Sequence, residues 1–199
     1  MRREDWDRRY AETSLLWSAE PNRFLVSEAA ALAPGRALDV ACGEGRNALW
    51  LAGLGWSVTA VDFSTVAVAK GLDRAARIGA EIDFVCADLL DYEPAAGAYD
   101  LVLVLYLQLP PDERRLVLFR ATAALAPSGT FLLIGHDLTN LTDGVSGPSD
   151  PSVLYTPDDI VGELPGLEIE KAERVLRDVV EADRPAIDVL VRARRQPFR

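Results

Sequence analysis

The chain has 199 residues, with 21 Lys and Arg against 31 Asp and Glu, and so a formal net charge of −10. That length fits one or two domains with a full core, and 49% hydrophobic with 26% charged residues is an ordinary globular balance. Nucleic acid is an unsuitable partner for so acidic a chain, whose only lysines are Lys70 and Lys171, because such binding rests on neutralising phosphates.

The first residues carry charges with no apolar stretch of signal-peptide length after them. Residues 1–33 read as a helical prelude, with Trp6, Tyr10, Trp17 and Phe24 spread through polar sequence and a break at Pro21-Asn22. From Pro34-Gly35 onward the texture changes. Apolar runs of strand length at 37–41, 57–61, 82–85, 101–105 and 130–134 alternate with helical stretches at 47–54, 65–78 and 112–125. Strands apolar on both sides, alternating with helices, predict a parallel sheet covered on both faces. The run 101–109 contains Gln108 and falls short of the ~20 residues that span a bilayer, so neither a membrane partner nor export is expected.

Pro110-Pro111-Asp112-Glu113 opens the third of those helices and Pro127-Ser128-Gly129 is expected to close it. Thr156-Pro157-Asp158-Asp159 starts a further short helix. The aperiodic, Gly- and Pro-rich stretch 138–155 predicts a long functional or mobile loop. Two more strands are expected near 168–177 and 187–193, followed by a basic, solvated tail that ends at Arg199. Cys42 and Cys86 are too few for a disulfide framework and read as small core residues in a reducing, cytoplasmic setting.

The densest signal is Leu38-Asp39-Val40-Ala41-Cys42-Gly43-Glu44-Gly45-Arg46-Asn47-Ala48, a strand running into a glycine turn that opens a helix. Glycines let the backbone approach a ligand, and the helix N-terminus offers free N–H groups. Gly43-x-Gly45-x-x-Ala48 also fits a dinucleotide fingerprint, which keeps an NAD-binding oxidoreductase open, as it does a non-catalytic cofactor-binding module. Asp39 separates these readings, since a carboxylate beside the loop repels a pyrophosphate and suits an ammonium or sulfonium group. Asp62, at the end of the second strand, can accept from ribose hydroxyls, and Asp88, after the third, from an exocyclic amine.

With these residues in place, the chain from Pro34 to Arg194 resembles the class I S-adenosylmethionine-dependent methyltransferases. The stretches 43–52 and 55–62 look most like the tellurite-resistance and thiopurine branch. The resemblance implies a doubly wound α/β fold, with a seven-stranded, mostly parallel sheet whose last strand is antiparallel. It also implies an N-terminal helical lid over 1–33 and a cofactor-binding domain over 34–199. On that reading Asp39, Ala41, Cys42, Gly43, Gly45 and Asn47 hold the methionine part of S-adenosylmethionine, Asp62 and Phe63 the ribose, and Asp88 and Leu89 the adenine. Leu105 and the residues after it face the methyl group. Trp6, Tyr10, Trp17, Asn22 and Arg23 are lid candidates. At Ala41 the family has glycine, and the extra methyl is tolerable there if the local φ is negative.

Methyl transfer from a sulfonium needs chiefly that the acceptor be held in line and water excluded. A small-molecule acceptor such as a thiol, chalcogen oxyanion or phenol is expected to approach under the N-terminal helices and the 138–155 loop. His136, the single histidine, follows the fifth strand and is a candidate base, the alternative being a loop histidine bonded to Asp137. Arg46, Tyr106, Gln108, Tyr10 and Arg23 are candidate substrate residues. For Arg46 the alternative is an ion pair with Glu44, and for Tyr106 it is plain packing. One histidine among scattered carboxylates gives no metal-ligand spacing.

Overall fold

A computed structural model describes residues 2–197, so Met1 and the last two residues of the expected tail, Phe198 and Arg199, lie outside the described residues. Seven strands form one sheet in the order β3-β2-β1-β4-β5-β7-β6. They are β1 Arg36–Val40, β2 Ser57–Asp62, β3 Ile82–Cys86, β4 Tyr99–Leu105, β5 Leu125–His136, β6 Leu167–Arg177 and β7 Ala186–Arg195. The β1–β2 and β2–β3 pairs are parallel, and β7 runs antiparallel to both β5 and β6. This is the expected doubly wound sheet, and no described helix is long and apolar enough to cross a membrane.

The residues fall into two compact units, the first running to Glu93 and including Tyr99–Leu103, the second comprising Pro94–Ala98 and the chain from Val104 onward. The first unit holds the helices α1 Arg3–Ala11, α2 Arg23–Ala29, α3 Arg46–Gly53 and α4 Thr65–Ile78. Both N-terminal helices belong to it, so the units do not divide at 33/34. The carboxylate of Asp7 on α1 accepts from the Ser64 hydroxyl at 2.5 Å and the Val66 N–H at 3.2 Å, at the start of α4. Burial opposes ionisation there, but the Ser64 and Val66 hydrogen bonds hold the Asp7 carboxyl below its usual range.

Helix α4 is capped by the Ser64 hydroxyl and ends on Gly79 at φ +66°, and it buries Ala67, Val68, Gly71 and Ala75 at helical spacing. A Cβ on Gly71 would lie 2.5 Å from the Phe84 ring and one on Gly45 2.7 Å from it. Phe84 of β3 therefore fills the space that both glycines leave. Cys42 is buried as expected, whereas Cys86, at the sheet-edge end of β3, is exposed and makes no core residue.

The second unit adds α5 Pro111–Ala123, α6 Asn140–Asp143, a 3₁₀ turn Pro151–Val153 and α7 Pro157–Gly162. Pro127-Ser128-Gly129, expected to close a helix, instead lies inside β5, where Ser128 at φ +64° turns the early strand. The basic tail is also not simply solvated. Arg192 and Arg194 pair with Glu170 of β6, and Arg195 donates to the carbonyls of Ala123 and Leu125, because β7 continues through them. Arg114 of α5 is buried and grips Glu163 through two hydrogen bonds of 2.9 and 2.7 Å, as planar, paired recognition requires.

Candidate functional site

In the first unit, β1 delivers Asp39 to the start of a loop that the sequence bends sharply. Ala41, Gly43 and Gly45 all have positive φ (61°, 56° and 74°). The condition for tolerating alanine at 41 is therefore not met, and Ala41 sits in the left-handed region that disfavours a Cβ. Asp62 holds the turn, its Oδ2 accepting from the Gly43 N–H at 2.8 Å and its Oδ1 from the Ser64 N–H at 2.9 Å. Burial raises the pKa of Asp62 against the pull of those two bonds.

Asp39 is 1% exposed, and neither of its carboxylate oxygens has a partner at full hydrogen-bond geometry, the Ala48 N–H being its nearest donor. Burial and the neighbouring Asp62 push it up to about 7, with only the charge of Arg46 and the Ala48 N–H acting the other way. A buried carboxylate so poorly paired is costly, and here it stands at the mouth of a glycine turn. Asp88 is half-buried, with Oδ1 accepting from the Leu90 N–H at 3.0 Å. Leu89 is half-buried beside it, as is Phe63 after β2.

The N-terminal segment lies over this loop. A Cβ on Gly43 would lie 2.8 Å from the hydroxyl of Tyr10, which is buried and whose pKa burial raises. The Trp17 indole donates to that hydroxyl at 3.4 Å, and the Trp6 ring lies 5.8 and 6.4 Å from those of Tyr10 and Trp17. Glu44, inside the loop and buried, accepts from the Leu16 and Trp17 N–H groups at 2.9 and 3.5 Å and pairs with Lys70 at 3.2 Å. Lys70 also donates to the carbonyls of Tyr10 and Thr13. Glu44 is thus engaged by the segment over the loop, and Arg46 reaches the Ser18 hydroxyl at 3.1 Å. Asn47 accepts from the Asn22 N–H at 2.9 Å, so it ties the two helical segments together, and the Arg23 guanidinium lies 5.1 Å from the Phe24 ring.

A second polar cluster stands in the other unit, at the ends of β4, β5 and β7. Asp188 is completely buried, and its Oδ2 accepts from the Tyr106 hydroxyl at 2.6 Å and from Arg177 Nε at 2.7 Å. His136 Nδ1 lies 3.2 Å from Asp188 Oδ1. The histidine's neighbour is therefore not Asp137, which instead pairs with Arg174 and accepts from Thr139. Burial opposes ionisation of Asp188, but the His136, Arg177 and Tyr106 contacts outweigh it and lower its pKa. Tyr106, at φ +56°, is held in a conformation that a bulky side chain rarely adopts. Gln108 donates to the Val153 carbonyl at 3.0 Å, and Leu105 is buried at the end of β4.

Asp39, Gly43, Gly45 and Asp62 thus come together as expected, with Tyr10 and Trp17 over them. Asp188, Arg177 and Phe84 escaped the sequence reading. A lone Asp in a C-terminal strand, a lone Arg in another and a Phe in an edge strand carry no local signal, and only the strand pairing brings them to their partners.

Residues 37–129 match the family described as a methyltransferase domain. Ribosomal RNA small subunit methyltransferase C of Alcanivorax borkumensis is 32% identical over 108 residues, which is 52% of this chain and 33% of that protein. The chain spans a third or less of the curated relatives it matches. Among solved structures, one described under the conversion of a disulfide bond into a thioacetal group during echinomycin biosynthesis has a TM-score of 0.76 at 25% identity. That match covers 97% of this chain and 92% of the other. TehB from Haemophilus influenzae gives 0.74 at 18%, over 98% and 68%. The methyltransferase-domain match covers a little under half of the chain, and the fold is that of solved S-adenosylmethionine-dependent methyltransferases, such as one from Methanosarcina mazei at a TM-score of 0.72 and 16% identity over 90% of this chain and 100% of the other. The matched stretch begins in β1 and runs into β5.

Proposed function

We propose that the protein transfers the methyl group of S-adenosylmethionine to a small-molecule acceptor, with the cofactor held by the glycine turn of the first unit. The observation that carries this is Asp39. Its two oxygens are buried beside Gly43 with no partner at full hydrogen-bond geometry, and a cationic ligand relieves that cost where a dinucleotide phosphate would add to it. When bound, the cofactor supplies a methyl group made electrophilic by a sulfonium charge.

The surrounding residues fit the group. Ala41, Cys42, Gly43 and Gly45 bring bare backbone to the methionine part, with Asn47 behind them. Each oxygen of Asp62 accepts one backbone N–H and keeps a second lone pair for a ribose hydroxyl. Asp88 and Leu89 take the adenine, and Phe63 lines the ribose. Tyr10 and Trp17, with the rest of 1–33, act as a lid that excludes water, fastened through Glu44 and Lys70. Arg46 and Arg23 are the proposed acceptor-contacting residues of this unit. The net charge of −10 favours a small acceptor over RNA. Likeness in fold to TehB supports the tellurite-resistance and thiopurine branch.

Isothermal titration with S-adenosylhomocysteine tests the reading. The wild-type chain binds, and Asp88→Ala, which removes no link of the glycine turn, weakens binding at least tenfold. Methylation assays over thiols, selenite and tellurite, phenols and amines then identify the acceptor. Thermal stabilisation by NAD(H) but not by S-adenosylhomocysteine would overturn the proposal.

A further inference from the structure

We infer that the cleft between α3, α4 and residues 19–21 binds a small organic anion, an oxyanion joined to a flat apolar body, and that this ligand holds the N-terminal segment down over the first unit. The cleft lies wholly within that unit, and only Arg46 is shared with the residues assigned above to cofactor or acceptor. The inference therefore goes beyond the methyl-transfer reading and does not rest on it.

The sequence writes the same pattern into both helices. Arg46, Leu49 and Trp50 on α3 and Arg74, Arg77 and Ile78 on α4 each stand at i, i+3 and i+4, which puts each trio on one helix face. The two faces line one cavity of about 360 Å³, within the ~300–1,000 Å³ of small-molecule sites. Ala19 and Pro21, from the stretch between α1 and α2, complete its wall. No Asp or Glu among the described residues lines it, although acidic residues outnumber basic ones 31 to 21 in this chain.

The arginines have donors to offer. Arg74 donates through Nη1 to the Glu44 carbonyl at 2.9 Å and through Nη2 to the Ala19 carbonyl at 3.4 Å, and no carboxylate among the described residues pairs with it. Two neutral acceptors leave most of its five N–H groups for a ligand. Arg77 meets Asp73 at 2.6 Å, but those side chains are 74% and 57% exposed, where such a pair contributes little and is readily exchanged. A guanidinium fork matches the paired oxygens of a carboxylate or phosphate ester.

The rest of the wall selects the body of the ligand. Ile78 is 65% exposed and Trp50 half-buried, so apolar surface stands in water beside the guanidinium groups. A flat ring covers that surface, which an inorganic anion would leave wet, and a neutral ring would leave the arginines without a counter-charge.

The cleft also reports the position of the N-terminal segment. One wall belongs to that segment and the other two to α3 and α4, so a ligand touching all three binds only when the segment is down, and stabilises that arrangement. Arg74 already joins the sides, since it links the Ala19 carbonyl to that of Glu44 inside the glycine turn.

Titration calorimetry of the full chain without cofactor tests the site, with 2-naphthoate and 2-naphthyl phosphate separating a carboxylate from a phosphate ester. Saturable binding of at least one is expected, tenfold or more tighter than that of neutral 2-naphthamide or of inorganic phosphate, and weakened by salt. Arg77→Gln, which alters no contact of the N-terminal segment, should weaken it about fivefold, and Arg74→Gln at least tenfold. Amide exchange over 12–22 should slow at least threefold with the probe bound. Equal binding of naphthamide or inorganic phosphate, no binding of either probe, affinity unchanged in both variants, or exchange unmoved by a bound probe would overturn the inference. Displacement of the probe by S-adenosylhomocysteine would put it at the glycine turn and overturn the inference too. Failure of the chain to bind S-adenosylhomocysteine would fall on the methyl-transfer reading and leave the naphthyl titrations standing.

Discussion

Asp39 in the first unit and Asp188 in the second are both carboxylates with 1% or less of their surface exposed, and they end in opposite states. Asp188 has a hydroxyl and a guanidinium on one oxygen and an imidazole near the other, and its pKa is lowered despite burial. Asp39 has only the Ala48 N–H and the charge of Arg46 on its side, and burial and Asp62 push it up to about 7. Both are shielded from solvent, and the partners do most to set their protonation states apart. The difference separates a finished device, complete within the chain, from a half-site whose other half is a cationic ligand.

The largest effect should come from breaking the finished side. Asp188→Ala leaves Arg177, Tyr106 and His136 facing a hole, and a loss of about 3 kcal/mol is expected in urea unfolding at neutral pH. Because the folded-state pKa of Asp188 is depressed, its contribution is present above the ordinary carboxylate range and is lost as the pH falls through the depressed value. The gap between wild type and variant should narrow on acidification. A gap that stayed constant to low pH would mean that packing, not charge, holds the cluster.

Asp39→Asn should do the reverse. A folded-state pKa raised from 3.8 to about 7 means that the ligand-free protein loses stability as the pH rises between those values and stays at the lower level above them. Removing the ionisable group should stabilise the ligand-free protein at pH 8 by up to about 4 kcal/mol, with little change at pH 4. The same variant should bind S-adenosylhomocysteine at least tenfold more weakly in titration. A variant both more stable and less able to bind is the signature of a half-site.

The two regions also differ in how far they could be read in advance. The glycine turn, Asp39, Asp62 and Asp88 are legible because each lies at the end of a strand and next to its own turn, so local pattern places them. Asp188 and Arg177 acquire meaning only when β6 and β7 pair in a particular register, which a one-residue slip would reverse. His136 is legible as a lone histidine, but of its possible neighbours the sequence offers only the adjacent Asp137, and the structure puts Asp188 beside it instead, since sequence adjacency says nothing of which face of a strand a side chain takes. Pro127-Ser128-Gly129 misled for a related reason: breakers that end a helix also bend a strand, and β5 begins before them.

Ala41 gives the smallest test and bears most directly on the unfinished half. At φ +61° its Cβ costs about 1 kcal/mol relative to glycine, whereas glycine adds unfolded-chain entropy that costs about 0.4–1 kcal/mol. The two terms nearly cancel, so Ala41→Gly should change stability by less than about 1 kcal/mol in thermal unfolding, on the stabilising side if the strain term leads. If the extra methyl narrows the cofactor pocket, the same substitution should tighten S-adenosylhomocysteine binding a few-fold. Tighter binding with unchanged stability would place the effect of the methyl in the pocket. A clear loss of stability would show instead that the Cβ earns its strained position by packing against its neighbours.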